Sequence, residues 1–291
     1  MKNNIVAIVG KPNVGKSTLL NAIFNQKKAI VNKKPQTTRK QSFFIYKNDN
    51  VKAIIIDTPG FHLPHNKLDK FLNWEVNNSL KSSNSILYLF DMTREFDVED
   101  RNILNNISKY DIQNKVLIIN KAETSKQELI DETANKLKED FNFQTVIQIS
   151  ALHKINIEKI IEYIETTSSE DIDVSYFKEP DDKFMIAEII REQCLILLRK
   201  EIPYAIGVDV TTNNYDEKTK TFFIDADIIV EKSSQKPIVI GKHASMIKLI
   251  GTNARMELLN IYDCKIVLKL YVKVEEDWRN SNYLINSLGY K

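Results

Sequence analysis

At 291 residues, 43% of them hydrophobic and 27% charged, the chain is too long for one ordinary core, comfortable for two, and too apolar to be largely disordered. The net charge of +2 is by itself silent on nucleic acid, but its distribution is uneven: from Lys232 to Lys273, eight basic residues stand against only Glu257 and Asp263, a local excess suited to a polyanion. The first apolar run, Ile5 to Val9, is too short for a signal peptide or a membrane span, so the protein is expected in the cytoplasm.

Short apolar runs at 5–9, 51–56, 86–90, 115–119 and 145–149 alternate with helical patterns near 17–25, 68–80, 97–109, 125–139 and 157–165. That alternation predicts βαβ units on a mostly parallel sheet with flanking helices, an α/β domain over 1–167. Residues 41–47 add a strand that meets the next through Asn48-Asp49-Asn50, as an antiparallel hairpin. The polar, acidic stretch from Thr166 to Asp182 contains Ser168, Ser169 and Pro180, and is expected as a linker, 168–182. A second domain follows over 183–291, with a helix from Lys183 to about Lys200, strands near 204–211, 221–230 and 237–240, a helix from Ser245 to Asn260 and a strand from Cys264 to Val272. Strands and helices no longer alternate there, which points to an α+β sheet with helices on one face. Cys194 and Cys264 fall in apolar stretches without metal-ligand spacing, and both are expected buried and reduced.

The motifs sit at strand ends. Gly10-Lys11-Pro12-Asn13-Val14-Gly15-Lys16-Ser17, with Thr18 next, matches G-x-x-x-x-G-K-[ST] between an apolar strand and a helix. Backbone N–H groups there can wrap a phosphate, Lys16 can bridge two phosphates, and the Ser17 hydroxyl can ligate Mg²⁺. Asp57-Thr58-Pro59-Gly60 ends the third apolar strand, so Asp57 can hold the same metal through water and Gly60 can offer its N–H to a terminal phosphate. Asn120-Lys121-Ala122-Glu123 and Ser150-Ala151-Leu152 end two further strands at the same edge. They resemble the guanine-reading N-K-x-D and S-A-x pair of GTPases, with Glu123 where aspartate is usual. Phe61 follows the D-T-P-G run, where many GTPases place a glutamine that orients the attacking water; hydrolysis is therefore expected to be slow.

In the second half, the run from Ile238 to Gly251 contains Gly241-Lys242-His243-Ala244 and then a helical pattern. It has the form of the KH signature, whose G-x-x-G loop passes single-stranded RNA close to the backbone; the second glycine is Ala244 here. Lys242, Lys248 and Arg255 supply positive charge around the loop.

Pro35-Gln36-Thr37-Thr38-Arg39 looks like switch I of the Era family of P-loop GTPases. Phe184 to Glu192, Glu201 to Tyr204, Lys269 to Val274, Trp278 and Leu288-Gly289-Tyr290 resemble the opening and close of that family's type II KH domain. The resemblance runs over about residues 5–290. It implies GTP and GDP as ligands, Mg²⁺ held by Ser17, Thr38 and Asp57, and a loop at Thr37 and Thr38 that closes when the γ-phosphate is present. It implies K⁺ at Asn13 in place of an arginine finger. It further implies a monomer that binds the 3′ end of 16S ribosomal RNA, serves small-subunit assembly, and makes loose peripheral contact with the inner face of the cell membrane. The residues themselves leave open a nucleotide-gated RNA scaffold with negligible turnover, while a P-loop kinase is disfavoured by the lack of a visible substrate lid.

Overall fold

The computed structural model describes residues 1–32, 34, 37–61 and 64–290. The chain divides into two compact units, the first formed by Met1–Pro64 with Asp69–Glu179 and the second by Pro180–Lys291 with His65–Leu68.

The first unit contains β1 (Lys2–Val9), α1 (Lys16–Phe24), β2 (Ser42–Lys47), β3 (Val51–Asp57), α2 (Lys67–Ser82), β4 (Ser85–Asp91), α3 (Val98–Ile107), β5 (Asn114–Asn120), α4 (Gln127–Phe141), β6 (Thr145–Gln148) and α5 (Ile157–Thr166). Its sheet has the order β2-β3-β1-β4-β5-β6. All neighbours are parallel except β2 and β3, which form the expected hairpin. The inner strands read as continuous apolar runs because helices cover both faces. Alternate residues of β1 accordingly go to different cores: Ile5, Ala7 and Val9 pack with α2, α3 and α4, while Val6 and Ile8 pack with α1 and α5. In register, Ile8 pairs with Asp57 and Asp91 with Asn120. The parallel register therefore gathers the carboxyl ends of β1, β3, β4 and β5, and the motifs that follow them, at one edge.

The segment expected as a linker is packed. Asn3 and Ser169 exchange backbone hydrogen bonds of 2.7 and 2.9 Å, Asn3 Nδ2 donates to Ile172 O, and Val174 and Phe177 join the core beneath α2 to α4. The Phe177 ring meets Phe43 edge-on at 4.9 Å, and Glu179 Oε1 accepts from Ile45 N on β2. Its apolar residues, Ile172, Val174 and Phe177, bury themselves on the first unit, so 168–179 extends that unit rather than hanging free.

The second unit contains α6 (Asp182–Leu197), β7 (Gly207–Asp216), β8 (Thr221–Val230), α7 (Lys236–Ile240), α8 (Ser245–Tyr262), β9 (Lys265–Val274) and α9 (Asn282–Ser287). The sheet order is β7-β8-β9, with β7 antiparallel and β9 parallel to β8. Helices α6 and α8 bury Ile186, Ile189, Ile190, Ile250, Ala254 and Leu258 against one sheet face. The strand expected at 237–240 is instead the short helix α7. Pro237 stands in its first turn, where the missing N–H costs nothing, and Gln235 Oε1 closes the preceding turn by accepting from Glu231 N and Lys232 N. Only Val239 of the apolar triplet is buried, and Ile238 is 52% exposed, a one-sided burial that suits a surface helix. Cys194 is buried as expected, whereas Cys264, at the turn into β9, is only half-buried. Among the described residues no group of His, Cys, Asp and Glu forms a metal cluster, and no helix is long and apolar enough to cross a membrane.

Candidate nucleotide site and RNA-facing loop

The loop from Gly10 to Ser17 leaves β1 and enters α1 through Gly15, whose φ is 103°. A Cβ at that position would lie 2.3 Å from Asn120 Nδ2, so glycine is required both by the left-handed backbone and by the close approach. Lys16 is buried and folds back over the loop, its ammonium donating to Gly10 O at 3.0 Å and Lys11 O at 2.9 Å. Burial pushes its pKa down to about 8, against the opposing pull of Asp57.

Ser17, Thr38 and Asp57 converge. Ser17 Oγ lies 3.0 Å from Thr38 Oγ1, and both hydroxyls stand 3.0 Å from Asp57 Oδ2. The helix start, the loop after α1 and the end of β3 thus bring three hard oxygen donors together, a set suited to Mg²⁺. The Thr37 hydroxyl donates to Lys34 O at 2.8 Å. Pro35 and Gln36 of the same expected segment lie outside the described residues.

At the other end, Asn120 ties the phosphate loop to the loop after β6: its Nδ2 donates to Val14 O at 2.7 Å and its Oδ1 accepts from Ala151 N at 3.0 Å. Lys121 pairs with Asp91; burial opposes ionisation of that carboxylate, but Lys121 and Thr93 outweigh it and hold Asp91 below the usual range. Glu123 stands on a single 3-10 turn, Ala122–Thr124. Between the two ends lies a cavity of about 710 Å³. Its walls include the predicted Pro12, Asn13, Gly15, Lys16, Ser17, Thr18, Thr37, Thr38, Gly60, Asn120, Lys121, Glu123, Ala151 and Leu152.

Other predicted residues stand behind the wall. The Lys11 ammonium is engaged by Asp97 and Glu99, both at 2.7 Å, and the Val14 side chain is core. Thr58 Oγ1 donates to Ile8 O at 2.6 Å, and Ser150 Oγ accepts from His153 N at 3.2 Å. Sequence reasoning missed Ile30, Val31, Asn32 and Thr124, which also line the cavity. The signal was present for the first two: an apolar pair in a lysine-rich loop, where Asn21 accepts from Lys28 N and Ala29 N and donates to Ala29 O.

In the second unit the loop between α7 and α8 runs through positive φ at Gly241 (75°), His243 (51°) and Ala244 (59°). A Cβ on Gly241 would meet Met246 N at 2.7 Å, so this glycine is also obligatory. Ala244 carries its Cβ in the left-handed region without a side-chain cap, a strained choice for a residue that is neither Gly nor Asn. Lys242, His243, Lys248 and Arg255 are exposed, and the last two, seven residues apart on α8, share one side of the helix, beside the face that buries Ile250, Ala254 and Leu258.

Comparison with known proteins agrees with both halves. The family model described as 50S ribosome-binding GTPase matches residues 5–121, and the KH domain model matches residues 201–279. The chain is 49% identical over 294 residues to the GTPase Era of Ureaplasma parvum, covering 100% of this chain and 98% of that one. It is 39% identical over 303 residues to the GTPase Era of Clostridium kluyveri, covering both completely. This chain belongs to the Era family of GTPases. Two solved Era structures, each 32% identical with a TM-score of 0.91, cover 100% of this chain and 99% of their own. One is a single-residue variant of Aquifex aeolicus Era bound to GDP·AlF4⁻; the other is Era with MgGDPNP and nucleotides 1506–1542 of 16S ribosomal RNA.

With the Era family as reference, the chain is a P-loop GTPase domain followed by a KH domain. Phe61, next to the D-T-P-G turn, is half-buried with its ring against the core under α2 to α4, and a ring so placed has no polar atom to offer a water. Glu123 lines the cavity where the guanine-reading motif places aspartate.

Proposed function

We propose that this Era-family chain hydrolyses GTP to GDP and phosphate, slowly, and binds the 3′ end region of 16S ribosomal RNA through its second unit in the service of small-subunit assembly. The observation that carries the reading is the convergence of Ser17, Thr38 and Asp57 at one end of a cavity whose other end is lined by Asn120, Glu123 and Ala151. The backbone from Asn13 to Thr18 and the Lys16 ammonium hold the phosphates, and the carboxylate of Glu123 reads the base. Ser17, Thr38 and Asp57 would hold Mg²⁺, which when bound neutralises charge on the phosphate oxygens; the MgGDPNP of a 32%-identical Era supports the choice of ion. Thr38 already lies against Ser17 and Asp57, so ordering of its loop can report the γ-phosphate. Asn13, at φ 66° on the cavity wall, is proposed to hold K⁺.

The 50S wording belongs to a match that ends at residue 121. The whole-chain match is to an Era bound to 16S RNA, and it is this match that supports the small subunit. Gly241 to Ala244, Lys248 and Arg255 are the proposed RNA contacts. A monomer is the proposed acting form.

Phe61 favours one competing reading, a nucleotide-gated scaffold with negligible turnover. Phosphate release by the purified protein with GTP and Mg²⁺, in Na⁺ or K⁺, with and without a 16S 3′ fragment, decides between them. Turnover that rises with K⁺ and with RNA is expected; GTP binding without turnover under every condition establishes the scaffold.

A further inference from the structure

The base end of the cavity is closed by contacts between residues far apart in the chain. Asn120 holds the backbone of Ala151, and Ser150 Oγ holds the N–H of His153. These two contacts set the loop after β6 against the turn that carries Glu123, and they bring His153 Nε2 to 3.9 Å from Glu123 Oε1. Glu123 needs such a neighbour. A glutamate has one more rotor than the aspartate usual at this place, so its carboxylate samples more positions, only some of which can accept from a base in the cavity, and ordering it costs side-chain entropy.

The other polar groups around the turn are engaged elsewhere. The Lys121 ammonium goes to Asp91, the Thr124 hydroxyl donates to Lys121 O at 2.6 Å, and the Lys154 ammonium goes to Asn25. Leu152 is apolar and 72% exposed. The His153 imidazole is largely in solvent, whereas the Glu123 side chain is only 28% exposed and lines the cavity.

We propose that His153 is the positioning residue for guanine recognition, donating from Nε2 to one Glu123 oxygen so that the carboxylate faces the N1–H and exocyclic amino group of the base. The proposal deepens the guanine assignment made above and rests on it. It also accounts for the substitution: a longer acid reaches both the base and the imidazole, whereas aspartate needs no such support.

Titration calorimetry on the full chain with Mg²⁺ tests it, using GDP, inosine diphosphate (which lacks the exocyclic amine) and ADP. His153→Ala is expected to weaken GDP by about three- to fivefold, the scale of one partly exposed polar contact, and to shrink the preference for GDP over inosine diphosphate. His153→Gln, which keeps a donor, should retain most of the affinity. In a Glu123→Asp background His153→Ala should change nothing, because the shorter acid lies out of reach of the imidazole. An equal loss in both backgrounds, or no loss in either, overturns the role of His153 while leaving guanine recognition intact. Equal affinity of the unaltered chain for GDP and ADP overturns the guanine assignment and this role with it.

Discussion

Thr38 and Ala244 are single residues whose surroundings set opposite consequences for substitution. Thr38 Oγ1 contacts Ser17 and Asp57, and only the triphosphate is expected to use the closed loop. Thr38→Ala should therefore weaken a non-hydrolysable GTP analogue about tenfold, the range of one hydrogen bond in a charged site, and leave GDP affinity nearly unchanged; paired calorimetric titrations measure both. Ala244 is strained at φ 59°. Ala244→Gly should raise the unfolding free energy by about 1 kcal/mol in urea titrations, the relief of one left-handed non-glycine residue. It should also tighten binding of a single-stranded 16S 3′ oligonucleotide measured by fluorescence anisotropy, since the Cβ leaves the face that phosphates approach.

At the scale of elements, the buried Glu75 joins α2 to the chain entering β2. Its Oε2 accepts from Gln41 N at 2.7 Å, and Ser79 beside it donates to both Gln41 Oε1 and Glu75 O. Burial raises the carboxyl pKa to about 7, against the Gln41 N–H and the positive charge of Lys40, which lower it. The folded chain then binds this proton more tightly than the unfolded chain does, so stability is greatest at low pH within the window from the ordinary carboxylate range to about 7 and falls as pH rises through it. Glu75→Gln keeps an acceptor for Gln41 and removes the titration. Its melting temperature should match the parent near pH 4, below the unfolded carboxyl pKa, and exceed it at pH 8, by an amount equivalent to about 1–3 kcal/mol. On α8, Lys248 and Arg255 share an exposed face. The double change to alanine should weaken RNA at every sequence tested and flatten the dependence of log affinity on log salt by about one to two units.

At the scale of the whole molecule, the boundary of the first unit lies beyond α5. A fragment ending at residue 167 loses Val174 and Phe177 from the core and the Ser169 pairing with Asn3. It should melt well below a fragment ending at residue 179, and Phe177→Ala in the full chain should cost about 3 kcal/mol; thermal denaturation followed by circular dichroism checks both. The sequence by itself determined most of the elements and the placement of the motifs. An apolar run of strand length, a following Gly-rich turn and a helical period are local properties, and parallel pairing then forces Gly10, Asp57 and Asn120 to one edge. What only the tertiary structure decided depends on partners distant in the chain. The apolar triplet at 238–240 became a helix in which only Val239 is buried, Ile172, Val174 and Phe177 drew a polar stretch onto the first unit, and the Lys11 ammonium found Asp97 and Glu99. His153, unremarkable in sequence, reached Glu123 because Asn120, Ala151 and Ser150 join two loops some thirty residues apart. Periodicity reports which face of an element is buried, while the neighbour that covers it is fixed only when long-range packing closes.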